Sequence, residues 1–342
     1  MLTLHLSALS ALIWGAPDPA LLRSHDKLFQ SPLRGMTVSC PIYGQVWGSP
    51  AFSASLETLK TLGVDWVAIH PYAGIRKDGS VRYTPAARTE YLAGAASRAA
   101  AAGVPLFWKP HLAYWGSFDW RGSIDFESEA ARRRFAEQYR AFILDQARFA
   151  AKAGAPLFAV GVELERLVHY EAYWRELIAE VRRIYPGRLT YAANWDGAAR
   201  VPFWDALDYV GVQAYYPLAV EPGQTPDEAA LERAWAPILR QVQTLAQQAK
   251  RPVLFTEIGY PEARHAAERP WDPKGFFDGS DRALRVALVD YALRRVEQAP
   301  HVAGMFWWKW IPGRRRGDFA MQPPEIQTLL KRAWAAPPPP AP

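Results

Sequence analysis

The sequence predicts a single (β/α)₈ TIM barrel of the α/β class. Between about residues 34 and 311, eight short apolar runs rich in β-branched or aromatic residues alternate with longer runs of helical period. The length of 342 residues suits one such barrel. A doubly wound open sheet is disfavoured, because residues 41–44 (PIYG) after the first strand lack the glycine-rich pattern of a phosphate-binding turn.

The eight strands are predicted from their apolar composition and from the turn residues that flank them. Glycines such as Gly63 and Gly103 precede two of them, as expected where a helix ends before a strand. The predicted strands are residues 35–39, 64–70, 104–109, 158–163, 189–194, 209–214, 253–257 and 302–307.

The predicted helices follow from apolar residues at helical spacing. Trp174, Leu177 and Val181 recur at that spacing after the fourth strand. Before the seventh strand, Thr225 begins a start signal (TPDE) in which the threonine caps the helix. The fifth unit is the shortest, since only residues 203–207 are left for a helix.

The composition along the chain predicts the domain organisation. We predict an N-terminal segment over residues 1–30, a barrel over 31–336 and a proline-rich disordered tail over 337–342. The apolar start resembles part of a signal peptide, but no basic residue precedes it and it is too short to span a membrane. Export and a cytoplasmic location both stay open. We expect a monomer.

Charge and cysteine content exclude several classes of site. The single cysteine, Cys40, permits no intramolecular disulfide and no cysteine-based zinc site. The formal charge is +6, and arginine runs occupy residues 132–134 and 314–316. Because the other basic residues are interspersed with acidic ones, we predict no nucleic-acid partner. The second run leaves open an acidic polysaccharide as a partner.

Polar and aromatic residues follow the apolar body of almost every predicted strand. Catalytic groups of barrel enzymes collect at this carboxyl end of the strands. Burial of neighbouring carboxylates costs free energy unless they are paired or used. The strand-end residues are Ser39, His70, Tyr72, Lys109, His111, Glu163, Glu165, Asn194, Trp195, Gln213, Tyr215, Tyr216, Glu257, Tyr260, Trp307 and Trp308.

Two glutamates are the predicted catalytic residues. Glu163 ends the fourth strand and Glu257 the seventh, so their side chains can face each other across the mouth of the barrel. Retaining glycoside hydrolysis uses two carboxyl groups about 5–5.5 Å apart. In the alternative interpretation, each glutamate only pairs with a basic residue. In an extended strand Glu165 would share a face with Glu163, so it stays an alternative acid/base. We expect it instead to pair with an arginine such as Arg166 or to support the site from behind.

The aromatic residues favour a sugar ligand. The chain has 15 tryptophans, and several, including Trp115, fall in loops predicted to surround the mouth. The apolar face of a sugar ring stacks on an indole, while its hydroxyl groups need polar partners such as Asn194 and Gln213. We also expect Lys109, His111 and Trp308 to contact the sugar.

These motifs resemble glycoside hydrolase family 113. They are the Gly-x-Glu of the fourth strand, the Thr-Glu-Ile-Gly-Tyr of the seventh and the Phe-Trp-Trp-Lys-Trp of the eighth, and the resemblance extends from Arg34 to about Trp334. It implies a retaining (β/α)₈ hydrolase that acts on β-1,4-mannan or mannooligosaccharides.

The resemblance also implies roles for individual residues. Glu163 matches the acid/base, Glu257 the nucleophile and Trp307 the aromatic residue beneath the reacting sugar. Tyr215, rather than Tyr216, matches a tyrosine that donates a hydrogen bond to the nucleophile.

The chain departs from the pattern of the wider clan at one position. Most members of that clan have asparagine before the acid/base, where it contacts the substrate's 2-hydroxyl, and here that residue is Val162. Another donor, such as Asn194 or Lys109, would have to replace it. A different glycan specificity and a non-catalytic carbohydrate-binding barrel therefore stay as alternatives.

A metal-dependent barrel hydrolase is a further alternative. His70 and His111 could bind a metal, but such sites normally begin with His-x-His at the first strand, and residues 39–41 here are SCP. We therefore predict no metal and no cofactor, and an oligosaccharide or polysaccharide as the substrate.

Overall fold

Eight parallel strands close into a barrel in chain order. The computed structural model describes residues 26–30, 32–40, 42–221, 223–273, 279–313 and 318–335, so most of the predicted N-terminal segment, residues 314–316 and the predicted tail lie outside the described residues. The eight predicted strands are confirmed. They are β1 (Leu33–Val38), β2 (Trp66–Ile69), β5 (Leu106–Trp108), β7 (Leu157–Val162), β8 (Arg188–Asn194), β9 (Tyr209–Gln213), β10 (Val253–Ile258) and β11 (Val302–Trp310).

A three-stranded side sheet extends the carboxyl ends of β2 and β5. Its strands are β3 (Tyr72–Ile75), β4 (Val81–Arg82) and β6 (His111–Ala113), with β3 in the middle. Tyr72 pairs with His111 in parallel register, so the chain after two barrel strands forms one wall above the mouth.

Helices separate the barrel strands at every step but one. Only two 3-10 turns, Ala198–Arg200 and Trp204–Ala206, join β8 to β9, which agrees with the short fifth unit expected from the sequence. The helices are α1 (Pro50–Thr61), α2 (Glu90–Ala102), α3 (Glu129–Lys152), α4 (Glu171–Ile184), α5 (Glu228–Ala249), α6 (Arg282–Tyr291, continued by a π-helical turn Ala292–Val296) and α7 (Pro324–Trp334).

The start of α5 differs from the predicted start. Asp227, rather than Thr225, caps the helix, and its side chain accepts a hydrogen bond of 2.7 Å from the amide of Ala230. Aspartate caps as well as threonine does, so the TPDE segment offered two capping positions. The cap lies two residues further along than the sequence pattern predicted.

The apolar core has an inner and an outer layer. Phe107, Leu254 and Phe306 belong to the inner cluster, which fills the barrel. Trp174, Leu177 and Val181 of α4 are buried in the outer cluster, which lies between strands and helices. Side chains along a strand alternate between the two layers, so a residue that follows one in the inner layer lies in the outer layer.

The arginine run of residues 132–134 lies on α3. Arg133 pairs with Glu129, and Arg134 pairs with Asp78 at 3.3 Å. All four side chains are largely exposed, as expected for a solvated helix face. Among the residues that the structure describes, no helix is long and apolar enough to span a membrane.

A buried carboxyl group, that of Glu297, lies between α7 and the start of β1. Glu297 accepts a hydrogen bond of 2.7 Å from the indole of Trp334 on α7, and its second oxygen has no hydrogen-bond partner among the described residues. Burial raises the pKa of Glu297 to about 7, with the indole bond and the nearby Arg34 opposing the shift. A protonated carboxyl group fits this environment.

Glu297→Gln should flatten the dependence of stability on pH. Because the folded-state pKa is raised from 4.5 to about 7, the stability that this group contributes is complete below about pH 4.5 and is lost as the pH rises through 7. The loss is roughly 3 kcal/mol. Urea unfolding at pH 5 and pH 8 measures it. Equal pH dependence in both proteins would refute this, and Glu57→Gln, at an exposed carboxylate, is the control.

Candidate active site

Glu163 stands in a strained turn at the end of β7. Its φ is +55°, in the left-handed region that non-glycine residues seldom adopt. Two hydrogen bonds hold the turn: the amide of Glu163 donates to the carbonyl of Ala192 at 2.8 Å, and the amide of Leu164 donates to the hydroxyl of Tyr191 at 2.8 Å. Such strain collects at functional sites, where the surroundings enforce it.

Gly161 has a packing role in the Gly-x-Glu motif. A Cβ at this position would lie 2.7 Å from the ring of Tyr191 and 2.9 Å from that of Trp174. Since Tyr191 also accepts the hydrogen bond that holds the turn, the glycine makes room for the side chain that positions Glu163.

Glu257 lies inside β10, nearly buried and held by two donors. The hydroxyl of Tyr215 donates to its Oε2 at 2.9 Å, and the ammonium of Lys109 donates to its Oε1. Lys109 has no exposed surface and also donates to the carbonyl of Thr256 at 3.0 Å. Tyr215 makes this bond, whereas Tyr216 packs against Trp195.

Strand irregularities precede both glutamates. The pairing of β7 with β8 shifts register between Ala159 and Val162, and that of β10 with β9 shifts between Phe255 and Glu257. Bulges of this kind redirect side chains and are frequent beside active sites. They explain why the alternation along an ideal strand does not describe the residues at these two ends.

Arg121 is a site residue that the sequence reasoning missed. Its guanidinium forms an ion pair with Glu163, donates to the carbonyl of Leu112 at 3.1 Å and lies 5.5 Å above the ring of Tyr114. It lies in a 3-10 turn (Arg121–Ser123) in the long connection between β6 and α3. The only sequence signal was the position of Arg121 beside Trp120, in a loop that contains aromatic residues. Because a loop has no regular period, its sequence does not show which way a side chain points.

The environment of Glu163 favours a retained proton. Burial raises its pKa, and the charge of Glu257 raises it further, so the two carboxyl groups are close enough to interact. Arg121, Lys109 and the Gln213 side chain oppose the shift. Burial and the two carboxylates likewise raise the pKa of Tyr215 well above its usual value, so its hydroxyl stays a donor.

His70 and His111 form a buried stack beside Glu257. Their ring centres are 5.0 Å apart, and His111 Nε2 lies 4.0 Å from Glu257 Oε1. Burial and nearby cations hold both pKa values well below the usual value, so the rings are neutral. None of their nitrogens has a hydrogen-bond partner among the described residues. Within the same residues, no group of three or more His, Cys, Asp or Glu side chains could hold a metal ion.

Asn194 and Gln213 line up with Glu257 at the strand ends. Asn194 pairs in register with Gln213, and Gln213 with Glu257, so three neighbouring strands bring these residues to one level. The Gln213 Oε1 accepts from Thr256 at 2.9 Å. The buried amide nitrogen of Asn194 has no hydrogen-bond partner among the residues described, whereas the Gln213 side chain is close enough to Glu163 to lower its pKa.

The structure places Trp308, rather than Trp307, at the site. Phe306 belongs to the inner cluster, and the next residue, Trp307, is fully buried in the outer cluster, so its ring does not reach the mouth. Trp308 alternates back inward, where its ring stacks on that of His111 at 6.5 Å and lies 5.8 Å from Lys109 Nζ. The role given to Trp307 is therefore corrected to Trp308.

Glu165 is not part of the pair. The chain leaves the strand after Val162, so Glu165 falls in a 3-10 turn (Glu165–Leu167) and does not share a strand face with Glu163. It pairs with Arg200, rather than with the expected Arg166.

Aromatic side chains line the mouth on two sides. Trp115 is 54% exposed and contacts Tyr72 of the side sheet at 5.4 Å. Beyond β8 and β10, Trp195 and Trp271 stack at 6.1 Å. Around the barrel, the strands of Glu163 and Glu257 divide the ring of strands into two arcs. Trp115 follows strands of one arc, and Trp195 follows a strand of the other.

Comparison with known proteins identifies related sequences and folds. The model of Glycoside Hydrolase Family 113 matches residues 36–321. The fold is similar to that of a family 113 β-mannanase from Alicyclobacillus acidocaldarius, with a TM-score of 0.77 and 24% identity over 90% of this chain and 98% of that chain. No curated protein sequence matches the chain.

Two further structures resemble the fold. A family 113 β-1,4-mannanase complex has a TM-score of 0.76 and 20% identity, over 90% of this chain and 100% of that chain. A family 5 mannosidase from Rhizomucor miehei has a TM-score of 0.60 and 10% identity, over 89% and 92% of the two chains. At these identities, the likeness establishes the fold alone.

Proposed function

The chain belongs to glycoside hydrolase family 113 and hydrolyses O-glycosyl bonds, and we propose that it cleaves β-1,4-mannan or mannooligosaccharides with retention of configuration. Glu257 is the nucleophile and Glu163 the acid/base in this proposal. The mannan assignment is supported by the family and by the β-1,4-mannanases of similar fold.

The contrast between the two carboxyl groups carries the proposal. Glu257 accepts hydrogen bonds from an ammonium and a phenol, one at each carboxylate oxygen, which hold the group in place for attack. Burial and the nearby carboxylate raise the pKa of Glu163, which favours the protonated acid. Pairs of carboxyl groups whose environments differ in this way divide into a base or nucleophile and an acid.

The reaction proceeds in two steps. In the first, a Glu257 oxygen bonds to the anomeric carbon, the glycosidic C–O bond breaks, and the proton of Glu163 passes to the departing oxygen. In the second, Glu163 takes a proton from water, whose oxygen bonds to the anomeric carbon and releases Glu257. Two inversions give net retention.

Substrate hydroxyl groups need polar partners at the level of the nucleophile. Val162 precedes the acid/base and has no polar side-chain atom, whereas Asn194 and Gln213 lie at the same level as Glu257 on neighbouring strands. Lys109 is occupied by Glu257 and the Thr256 carbonyl. We assign the hydroxyl contacts to Asn194 and Gln213, with His111 beside them and Trp308 beneath the sugar ring.

Glu257→Gln should reduce mannan hydrolysis by at least about 10⁴-fold without unfolding the barrel, because the variant has no nucleophile. Glu163→Gln should slow mannan hydrolysis strongly. With glycosides whose leaving group departs without a proton, it should spare the first step but still slow the second, because no base then activates the water, so a burst of leaving group precedes slow turnover. Assays of new reducing ends on mannan and other β-glucans measure both effects.

Glu165→Gln is the matched control and should keep most of the activity, since Glu165 pairs with Arg200 outside the site. Wild-type turnover by Glu257→Gln would refute the nucleophile assignment. Activity on another β-glycan only would keep the two glutamates and overturn the mannan assignment.

Tyr215→Phe should lower kcat about 10- to 100-fold, because it removes a hydrogen bond to a charged group. Tyr216→Phe, at the adjacent buried tyrosine, should keep wild-type kcat. Steady-state kinetics and circular dichroism of both variants measure this. Equal rates in the two variants would show that the Tyr215 hydroxyl does not orient Glu257.

Arg121→Gln should move the alkaline limb of the pH–rate profile to higher pH. The alkaline limb reports loss of the proton on Glu163, and the charge of Arg121 opposes the rise of that pKa. Arg200→Gln, which removes the partner of Glu165, should leave the limb in place. An unmoved limb in Arg121→Gln would contradict the assignment of Glu163 as the acid.

A further inference from the structure

A cavity lies beside the catalytic groups, over the side sheet. It has a volume of about 580 Å³, within the usual range for small-ligand sites. We call it the side-sheet pocket, and its walls include Tyr43, Tyr72, Arg76, Arg82, Trp115 and Ser117.

Two of its aromatic side chains are unusually exposed. Tyr43 is 58% exposed and Trp115 54%, and their rings meet edge to face at 6.4 Å. Both contact Tyr72, at 6.2 Å and 5.4 Å. Tyr43 also has a φ of +54°, a strained conformation that the fold maintains although its ring is not buried. Clustered exposed aromatic rings mark a binding surface.

The pocket adjoins the catalytic site, and Tyr72 lies between the two. The ring of Tyr72 packs against those of His70 and His111, at 5.2 Å and 5.7 Å. His111 Nε2 in turn lies 4.0 Å from a carboxylate oxygen of Glu257. One ring therefore separates the pocket from the groups that surround the nucleophile.

The charged side chains that line the pocket are hydrogen-bond donors. Arg76 and Arg82 lie on its walls with Thr84 and Ser117, and no carboxylate is present among its described lining residues. Neither guanidinium forms a salt bridge within the described part of the chain. Aromatic rings with hydrogen-bond donors around them suit a sugar, whose ring faces are apolar and whose hydroxyl oxygens accept.

We propose that the side-sheet pocket is a distal subsite that binds a pyranose unit of the same glycan, beyond the units that flank the cleaved bond. The inference rests on the proposed function. The ring stacks on Trp115 and Tyr43, and the hydroxyl groups accept hydrogen bonds from the arginines. A glycan that spans both sites is bound along its chain, which favours cleavage within long substrates.

Binding to the Glu257→Gln protein tests the subsite without turnover. Adding Trp115→Ala should weaken binding of mannohexaose about tenfold, the effect of one lost stacking contact. Binding of mannobiose, whose two units are taken up at the cleaved bond, should not change. Trp115→Phe should recover most of the affinity, because it retains an aromatic ring. Isothermal titration calorimetry measures each affinity.

The outcomes separate the subsite from the proposed function. Tyr170→Ala, which removes an exposed tyrosine that does not line the pocket, controls for loss of surface aromatics. Equal mannohexaose affinity with and without Trp115→Ala overturns the subsite and leaves the catalytic assignment intact. An active enzyme that neither binds nor cleaves mannan contradicts the proposed substrate, and the mannan subsite with it.

Discussion

The buried contact between Lys109 and Glu257 is the interaction on which the site depends. Neither side chain has much exposed surface, and isolated charges in such a place would be costly. The ammonium and the hydroxyl of Tyr215 replace the water that the carboxylate has lost. Removal of either charge alone would leave the other uncompensated, so the third, sixth and seventh strands of the barrel must keep their relative positions.

The second carboxyl group is stabilised differently. Glu163 is placed by a strained turn rather than by a strand, and Arg121, which forms an ion pair with it, comes from a loop. Burial raises its pKa while Arg121 opposes the rise, and this balance suits the acid/base role that we propose for it. The barrel thus supplies one rigid carboxylate and one whose protonation a loop residue adjusts.

Sequence patterns predicted the strands and the position of both glutamates at the ends of two of them, because apolar period and strand-end position are local features. They could not predict Arg121, since the approach of a loop to a strand end depends on tertiary packing. The sequence placed Trp307 rather than Trp308 beneath the sugar for a similar reason. Which of the two side chains points into the barrel depends on the register of β11 in the closed barrel. Glu165 was misplaced because the strand ends one residue before Glu163 and the alternation stops there.

The most direct test of the account is to trap the glycosyl-enzyme intermediate with a 2-deoxy-2-fluoro-β-mannosyl fluoride. The ring fluorine slows both steps, while the good leaving group lets the first proceed, so the covalent ester accumulates. Peptide mass spectrometry then locates the label. The account predicts one fluoromannosyl group on Glu257 and none on the Glu257→Gln protein. A label on Glu163, or turnover with inverted products and no label, would contradict it.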